Sequence, residues 1–126
     1  MSEVKTKAYK ILVVDDEPDL RELLADEFEY AGHKSFMASN GREAFDLCSS
    51  ETFDAIVSDV RMPGGDGIEL LEKLKSANAS PLVFLVTGYA DITKDKAIEK
   101  GATNLLTKPY DIIELCNSVL TTLDNR

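Results

Sequence analysis

Histidine and cysteine, the usual ligands of zinc, are scarce in this sequence, which contains one histidine, His33, and two cysteines, Cys48 and Cys116. None of them belongs to a CxxC or HExxH pattern, so a zinc site has no support. Each cysteine falls among apolar residues at helical spacing, and we predict buried free thiols rather than a disulfide or a redox pair. His33 is predicted to lie in a strand and to have no special role.

Positive charge is also scarce, because 14 basic side chains stand against 23 acidic ones and give a net charge of -9. This balance disfavours unaided attraction to the phosphates of nucleic acid or to an anionic membrane surface. The chain has no run of about 18 or more apolar residues, and its first ten residues lack the apolar stretch of a secretory signal. We therefore expect protein partners, no direct contact with nucleic acid or membrane, and a cytoplasmic location.

The chain has 126 residues, of which 44% are hydrophobic, and this suits one domain with a proper core. It contains no Gly/Ser-rich or Pro-rich linker, no internal repeat and no low-complexity tract. We predict a single domain over residues 8–124, with short tails at 1–7 and 125–126. No output domain is expected within this chain.

Short apolar runs of β type alternate with amphipathic segments from Ala8 onward. This alternation is typical of a doubly wound α/β domain, in which helices cover both faces of a parallel sheet. Five such units fit the sequence, and they predict a five-stranded parallel sheet flanked by five helices. The predicted strands cover residues 9–14, 34–38, 53–58, 82–86 and 103–107.

The first helix has clear signals at both ends. Asp16 is predicted to cap it, Pro18 falls in its first turn, and Gly32 stops it. The predicted buried stripe consists of Leu20, Leu23, Leu24, Phe28 and Ala31. The fourth helix, predicted over residues 91–100, has few apolar residues.

Polar residues stand at the ends of four predicted strands. Asp15 and Asp16 follow the first strand, Asp59 the third, Thr87 the fourth and Lys108 the fifth. In an open parallel α/β sheet, ligands bind beyond the carboxyl ends of the strands. We therefore expect these five side chains to meet in one crevice.

Carboxylates that converge in one crevice repel each other unless a cation is present. Mg²⁺ suits such a site, because it is a hard ion that prefers oxygen ligands. A carboxylate can attack a phosphoryl group and form an aspartyl phosphate. Mg²⁺ and Lys108 would then neutralise the phosphoryl oxygens, while the Thr87 hydroxyl would hydrogen-bond one of them. Each of these residues alone is weak evidence for a phosphorylation site. The hypothesis depends on their joint placement at the ends of four predicted strands.

The sequence resembles the receiver domain of two-component response regulators from about residue 10 to residue 123. The motifs that carry the resemblance are Ile11-Leu12-Val13-Val14-Asp15-Asp16-Glu17, Ser58-Asp59-Val60-Arg61-Met62-Pro63-Gly64-Gly65-Asp66-Gly67, Val86-Thr87-Gly88-Tyr89, Gly101-Ala102 and Thr107-Lys108-Pro109.

The resemblance implies a role for each matching residue. Asp59 would be the phosphoacceptor, and Mg²⁺ would be held by Asp15, Asp16, Asp59 and the backbone carbonyl of Arg61. Thr87 and Lys108 would contact the phosphoryl group.

The resemblance also implies a flavodoxin-like sheet of order 2-1-3-4-5 and a cis Lys108–Pro109 bond. The donor would be a sensor histidine kinase or a histidine phosphotransfer protein, and the output partner is unknown. The chain would be a monomer or a phosphorylation-dependent dimer. It would not be an enzyme in the ordinary sense, because it would act only on its own phosphorylation and dephosphorylation.

Three positions near the implied site bear on the lifetime and the relay of the signal. Receivers commonly carry Tyr or Phe three residues before the lysine, and here that position is Leu105. The usual aromatic switch is therefore in question. Arg61 and Tyr89, each two residues beyond a site residue, are predicted to tune the lifetime of the acyl phosphate. The alternative is that both are ordinary solvated side chains.

Three other functions share parts of this pattern. A phosphatase of the haloacid-dehalogenase type needs a second Asp two residues after the first, where this chain has Arg61. A flavodoxin-like cofactor binder needs a glycine- and hydroxyl-rich loop after the first strand, where this chain has the acidic segment 15–19. The third alternative is a binding module that keeps the fold without being phosphorylated.

Overall fold

The computed structural model describes residues 8–88 and 92–126, which form a five-stranded parallel sheet and five helices. The strand order is β2-β1-β3-β4-β5, so the predicted doubly wound α/β fold and its 2-1-3-4-5 order are confirmed. The strands are β1 (Lys10–Val14), β2 (Lys34–Ala38), β3 (Ala55–Asp59), β4 (Leu82–Thr87) and β5 (Asn104–Thr107). The helices are α1 (Pro18–Tyr30), α2 (Gly41–Ser50), α3 (Gly67–Ser76), α4 (Lys94–Glu99) and α5 (Ile112–Asp124).

The sheet is buried on both faces because successive side chains of a strand point to opposite sides. In β1, Leu12 and Val14 belong to the core beneath α2, α3 and α4. Their neighbours Ile11 and Val13 belong to the core beneath α1 and α5. The unbroken apolar run of β1 is thereby explained.

Side-chain caps fix where four of the helices begin. Asn40, Asp66, Thr93 and Asp111 each accept a hydrogen bond from the backbone N–H of the third helical residue. At α3, the Glu69 carboxylate accepts a hydrogen bond from the backbone N–H of Asp66 and completes a capping box.

The predictions for α1 were partly wrong. Glu17, not Asp16, is the capping residue, and its side chain makes no cap hydrogen bond. Leu23, predicted to be buried, is 55% exposed, whereas Ala25 is buried. The stripe is narrower than predicted because α1 packs on the sheet through Leu24, Ala25 and Phe28. Ala31 lies beyond the helix end and is exposed.

Several smaller predictions also need correction. His33 precedes β2 instead of lying in it, stacks on Tyr9 and accepts a hydrogen bond from the Tyr9 backbone N–H. The fourth helix begins at Lys94, because Thr93 caps it, and Asp91 lies outside the described residues. Both cysteines are free as predicted, but Cys48 is only half-buried, while Cys116 is buried.

Within residues 8–88 and 92–126, no helix has the length and apolar character needed to cross a membrane.

Candidate functional site

The predicted site residues gather at the carboxyl ends of neighbouring strands. Asp15 directly follows β1, Asp59 ends β3 and Thr87 ends β4, while Lys108 directly follows β5. Because these strands are parallel, their carboxyl ends share one edge of the sheet. Asp59 and Thr87 are the last residues of their strands and not the first residues of the following loops, so the ladder itself holds their backbones.

Three carboxylates form a cluster at this edge. Asp15, Asp16 and Asp59 each offer a carboxylate oxygen, and these oxygens lie within 4.8 Å of one another. Asp15 and Asp59 are buried, with 4% and 7% of their surface exposed, whereas Asp16 is exposed. The cluster is therefore built into the domain on one side and open to solvent on the other.

Lys108 supplies the positive charge beside the cluster. Its Nζ lies 3.1 Å from Oδ2 of Asp59 and 3.8 Å from Oε1 of Glu17. Its backbone N–H donates to the carbonyl of Thr87 at 2.9 Å, which ties the segment after β5 to the end of β4. The Lys108–Pro109 peptide bond is cis, as the resemblance implied.

Burial and neighbouring charges shift the pKa values of the site residues. Burial, together with the charge of Asp15, raises the pKa of Asp59 to about 6 even though Lys108 opposes the shift. Burial also raises the pKa of Asp15. Burial alone lowers the pKa of Lys108, but its hydrogen bond to Asp59 and the nearby carboxylates outweigh that effect and raise it. Lys108 therefore does not offset the combined effect of burial and the neighbouring carboxylates on Asp59, and a bound cation would favour the charged form of Asp59.

Arg61 lines an open groove of about 1000 Å³ together with Asp16, the exposed member of the carboxylate cluster. The Arg61 side chain is exposed, and the residue lies in the loop that follows β3. Tyr89 lies outside the described residues. The Arg61 carbonyl as a metal ligand and the Tyr89 side chain as a gate therefore stay predictions.

Sequence reasoning missed three residues that hold the site together. Nη1 of Arg21 donates to the backbone carbonyl of Asp15 at 2.8 Å, and the Glu17 backbone N–H donates to Oδ1 of Asp15 at 2.9 Å. The buried Ser58 hydroxyl donates to the backbone carbonyl of Asp59 at 2.9 Å. Arg21 reaches back from the first turns of α1, and no local pattern in the sequence signals such a contact.

Leu105 is already part of the core. It is 9% exposed, pairs with Leu85 across β4 and β5, and packs in the same cluster as Ala97 of α4. A side chain in this position has no exposed location from which it could swing inward.

A family model described as the response regulator receiver domain matches residues 11–120 of the chain. The chain belongs to this family. Receiver domains are signalling domains rather than classical enzymes, and phosphoryl transfer to an aspartate is the family's function. Receivers generally bind Mg²⁺ at an acidic pocket, and the carboxylate cluster of this receiver is compatible with that.

Relatives of this receiver differ in length, so the match covers different fractions of them. Sporulation initiation phosphotransferase F of Bacillus subtilis is 36% identical over 111 residues, which cover 87% of this chain and 90% of that protein. Regulatory protein AtoC of Escherichia coli is 37% identical over 111 residues, but these cover only 24% of that protein. This receiver thus spans nearly the whole of one relative and about a quarter of the other.

A solved structure is also similar. The receiver domain of the Francisella response regulator 1452 superposes with a TM-score of 0.86 at 33% sequence identity, over 93% of this chain and 98% of that one.

Proposed function

We propose that Asp59 accepts a phosphoryl group and that Mg²⁺ bound by Asp15, Asp16, Asp59 and the Arg61 carbonyl is required for the transfer. The observation that carries the proposal is the placement of Asp59. This buried carboxylate lies in a cluster of three and within 3.1 Å of the Lys108 ammonium. Phosphoryl transfer needs such a nucleophile among groups that neutralise phosphoryl oxygens.

The residues present fit Mg²⁺. Carboxylate and carbonyl oxygens are the ligands that this ion prefers. Burial, together with the charge of Asp15, raises the pKa of Asp59 to about 6, and a bound cation would favour the charged form of this carboxyl. When bound, Mg²⁺ would supply positive charge that offsets the repulsion between the carboxylates and the incoming phosphoryl oxygens.

The chain's own residues would share the remaining work. A carboxylate oxygen of Asp59 attacks phosphorus, a P–O bond forms, and the P–N bond of a phosphohistidine donor breaks. The donor imidazole leaves with the electron pair and takes up a proton when needed. Lys108, now close to Asp59, moves its ammonium to a phosphoryl oxygen, and the Thr87 hydroxyl hydrogen-bonds another.

The proposal extends to partners and to the extent of the domain. We propose a sensor histidine kinase or a histidine phosphotransfer protein as donor, an output partner reached by protein contact, and a monomer or phosphorylation-dependent dimer. Because Leu105 occupies the usual aromatic position, the signal would be relayed by Thr87 and loop movement, or by a different side chain such as Tyr89. The chain would act only on its own Asp59, in the cytoplasm. The receiver unit would span residues 8–124, with 1–7 and 125–126 as tails.

Incubation of the full chain with a small acyl phosphate and Mg²⁺ tests the proposal. We expect the intact mass to rise by one phosphoryl group in the wild type and in Asp26→Asn, which changes an exposed carboxylate of α1. We expect no rise in Asp59→Asn, and none in the wild type with a chelator. A wild type that gains no mass with the donor and Mg²⁺ would contradict the proposal.

A further inference from the structure

The loop between β3 and α3, residues 60–66, makes a close backbone contact with the start of α2. Gly41, the first residue of α2, donates its N–H to the carbonyl of Gly65 at 2.8 Å. This contact lies outside the carboxylate cluster. It joins α2, which contributes none of the predicted site residues, to the loop that carries Arg61.

The two segments approach so closely that no side chain fits between them. A Cβ atom on Gly41 would lie 2.9 Å from the carbonyl oxygens of both Gly65 and Asp66. A Cβ atom on Gly65 would lie 3.0 Å from the backbone nitrogen of Arg42. Since the opposing atoms are backbone, none of them can rotate away, and any added atom must push the loop from α2.

The other end of the loop is also fixed. The Val60 N–H donates to the carbonyl of Val86 and the Gly67 N–H donates to the carbonyl of Val60, each at 2.9 Å. Arg61 therefore lies in a short span between an anchor at Val60 and an anchor at Gly65. A shift at Gly65 has only three intervening residues, Met62 to Gly64, over which to be absorbed before it reaches Arg61.

We infer that Gly41 is a positioning residue for the Mg²⁺ site, because its close contact with Gly65 sets the position of the loop that carries the Arg61 carbonyl. The inference rests on the proposed function. Groups that orient metal ligands typically change metal affinity about 10- to 100-fold when they are altered, and we expect the lower end of that range for Gly41→Ala.

The experiment is a calorimetric titration of the unphosphorylated full chain with Mg²⁺, together with a measurement of thermal stability. Gly32→Ala is the matched control, because Gly32 has a φ of 97° and a Cβ atom there would meet nothing within 4 Å. It strains the backbone without touching the loop. We expect Gly41→Ala to weaken Mg²⁺ binding about tenfold. Gly32→Ala should lower stability and leave the affinity for Mg²⁺ unchanged.

Gly65→Ala disturbs the same contact from the side of the loop, and it is the second test variant if Gly41→Ala fails to fold. Its affinity for Mg²⁺ should fall as well. Wild-type affinity in the folded Gly41→Ala and Gly65→Ala proteins overturns the inference and leaves the proposed function standing. An equal loss of affinity in Gly32→Ala also overturns it, because the effect would then follow stability. A wild type that does not bind Mg²⁺ overturns the proposed function itself.

Discussion

The Lys108 ammonium lies 3.1 Å from Oδ2 of Asp59, yet the pKa of that carboxyl is raised to about 6. Burial and the neighbouring Asp15 outweigh the lysine. Asp59 is thus a carboxylate that the fold keeps at a cost in stability. Groups retained in this way are typical of functional sites.

Asp59→Asn should stabilise the metal-free protein at neutral pH. The pKa of Asp in an unfolded chain is about 3.9, so the folded state binds the Asp59 proton more tightly. The stability associated with protonated Asp59 is present below about pH 4 and is lost as the pH rises through about 6. The Asn variant does not titrate there. The free energy of unfolding of Asp59→Asn minus that of the wild type should therefore be about 1–3 kcal/mol larger at neutral pH than below about pH 4.

Urea unfolding measures this difference at neutral pH and below about pH 4, with a chelator present at both. Asp26→Asn serves as the control, since Asp26 is exposed. If the difference in free energy of unfolding between the wild type and Asp59→Asn does not change with pH, the pKa of Asp59 is not raised in the folded protein.

Mg²⁺ should stabilise the wild type against unfolding. At about 100 times the dissociation constant, a ligand that binds only the folded state adds about 2.7 kcal/mol. Asp15→Asn should lose most of this gain. The amide oxygen can still accept the hydrogen bond that Oδ1 of Asp15 now takes from the Glu17 N–H, so the change removes charge and spares the local turn.

The unfolding temperature at increasing Mg²⁺ measures the gain. Asp26→Asn should respond like the wild type. An Asp15→Asn protein that Mg²⁺ stabilises as much as the wild type would exclude Asp15 from the metal site.

The strands, the helices and the strand-end carboxylates could be predicted from sequence because each leaves a local pattern, whereas the strand order was implied by the resemblance to receiver domains. The same patterns failed where tertiary packing decides. Leu23 falls at helical core spacing, yet it is 55% exposed because α1 packs on the sheet over a narrower stripe. Asp16 looks like a cap, but the turn after β1 is held instead by the Asp15 carboxylate.

The parts of the site that depend on long-range backbone approach were not predictable. Glycines in a loop predict a turn, but they do not predict which segment the turn contacts. The close backbone contact between Gly41 and Gly65 therefore has no signal in the sequence. The same holds for Arg21, whose guanidinium reaches the Asp15 carbonyl from α1.

Lys108→Met should slow phosphorylation by a small phosphodonor at saturating Mg²⁺. The variant removes the fixed charge that offsets the phosphoryl oxygens, and loss of one such group costs at least about 100-fold in rate. Lys100→Met is the control, because Lys100 is exposed and pairs with Glu72 instead. Initial rates of phosphorylation are measured from the intact mass. An unchanged rate in Lys108→Met would show that Lys108 does not contribute to the transfer.

Arg61→Ala should shorten the lifetime of the acyl phosphate. Arg61 borders the open groove beside Asp16, and we expect its side chain to restrict the path of water to the acyl phosphate. Arg42→Ala, an exposed arginine of α2, should leave the lifetime unchanged. Dephosphorylation is followed after removal of the donor, with Tyr89→Ala as a second variant. Unchanged decay in both Arg61→Ala and Tyr89→Ala refutes this role.

The central claim is that one residue, Asp59, carries the phosphoryl group. Borohydride reduces the acyl phosphate of an aspartate to the alcohol of homoserine, which marks the modified residue permanently. After phosphorylation, reduction and digestion, fragmentation should place the mark on Asp59 alone, and Asp59→Asn should carry no mark. A mark on Asp15 or Asp16, or none in the phosphorylated wild type, would contradict the account.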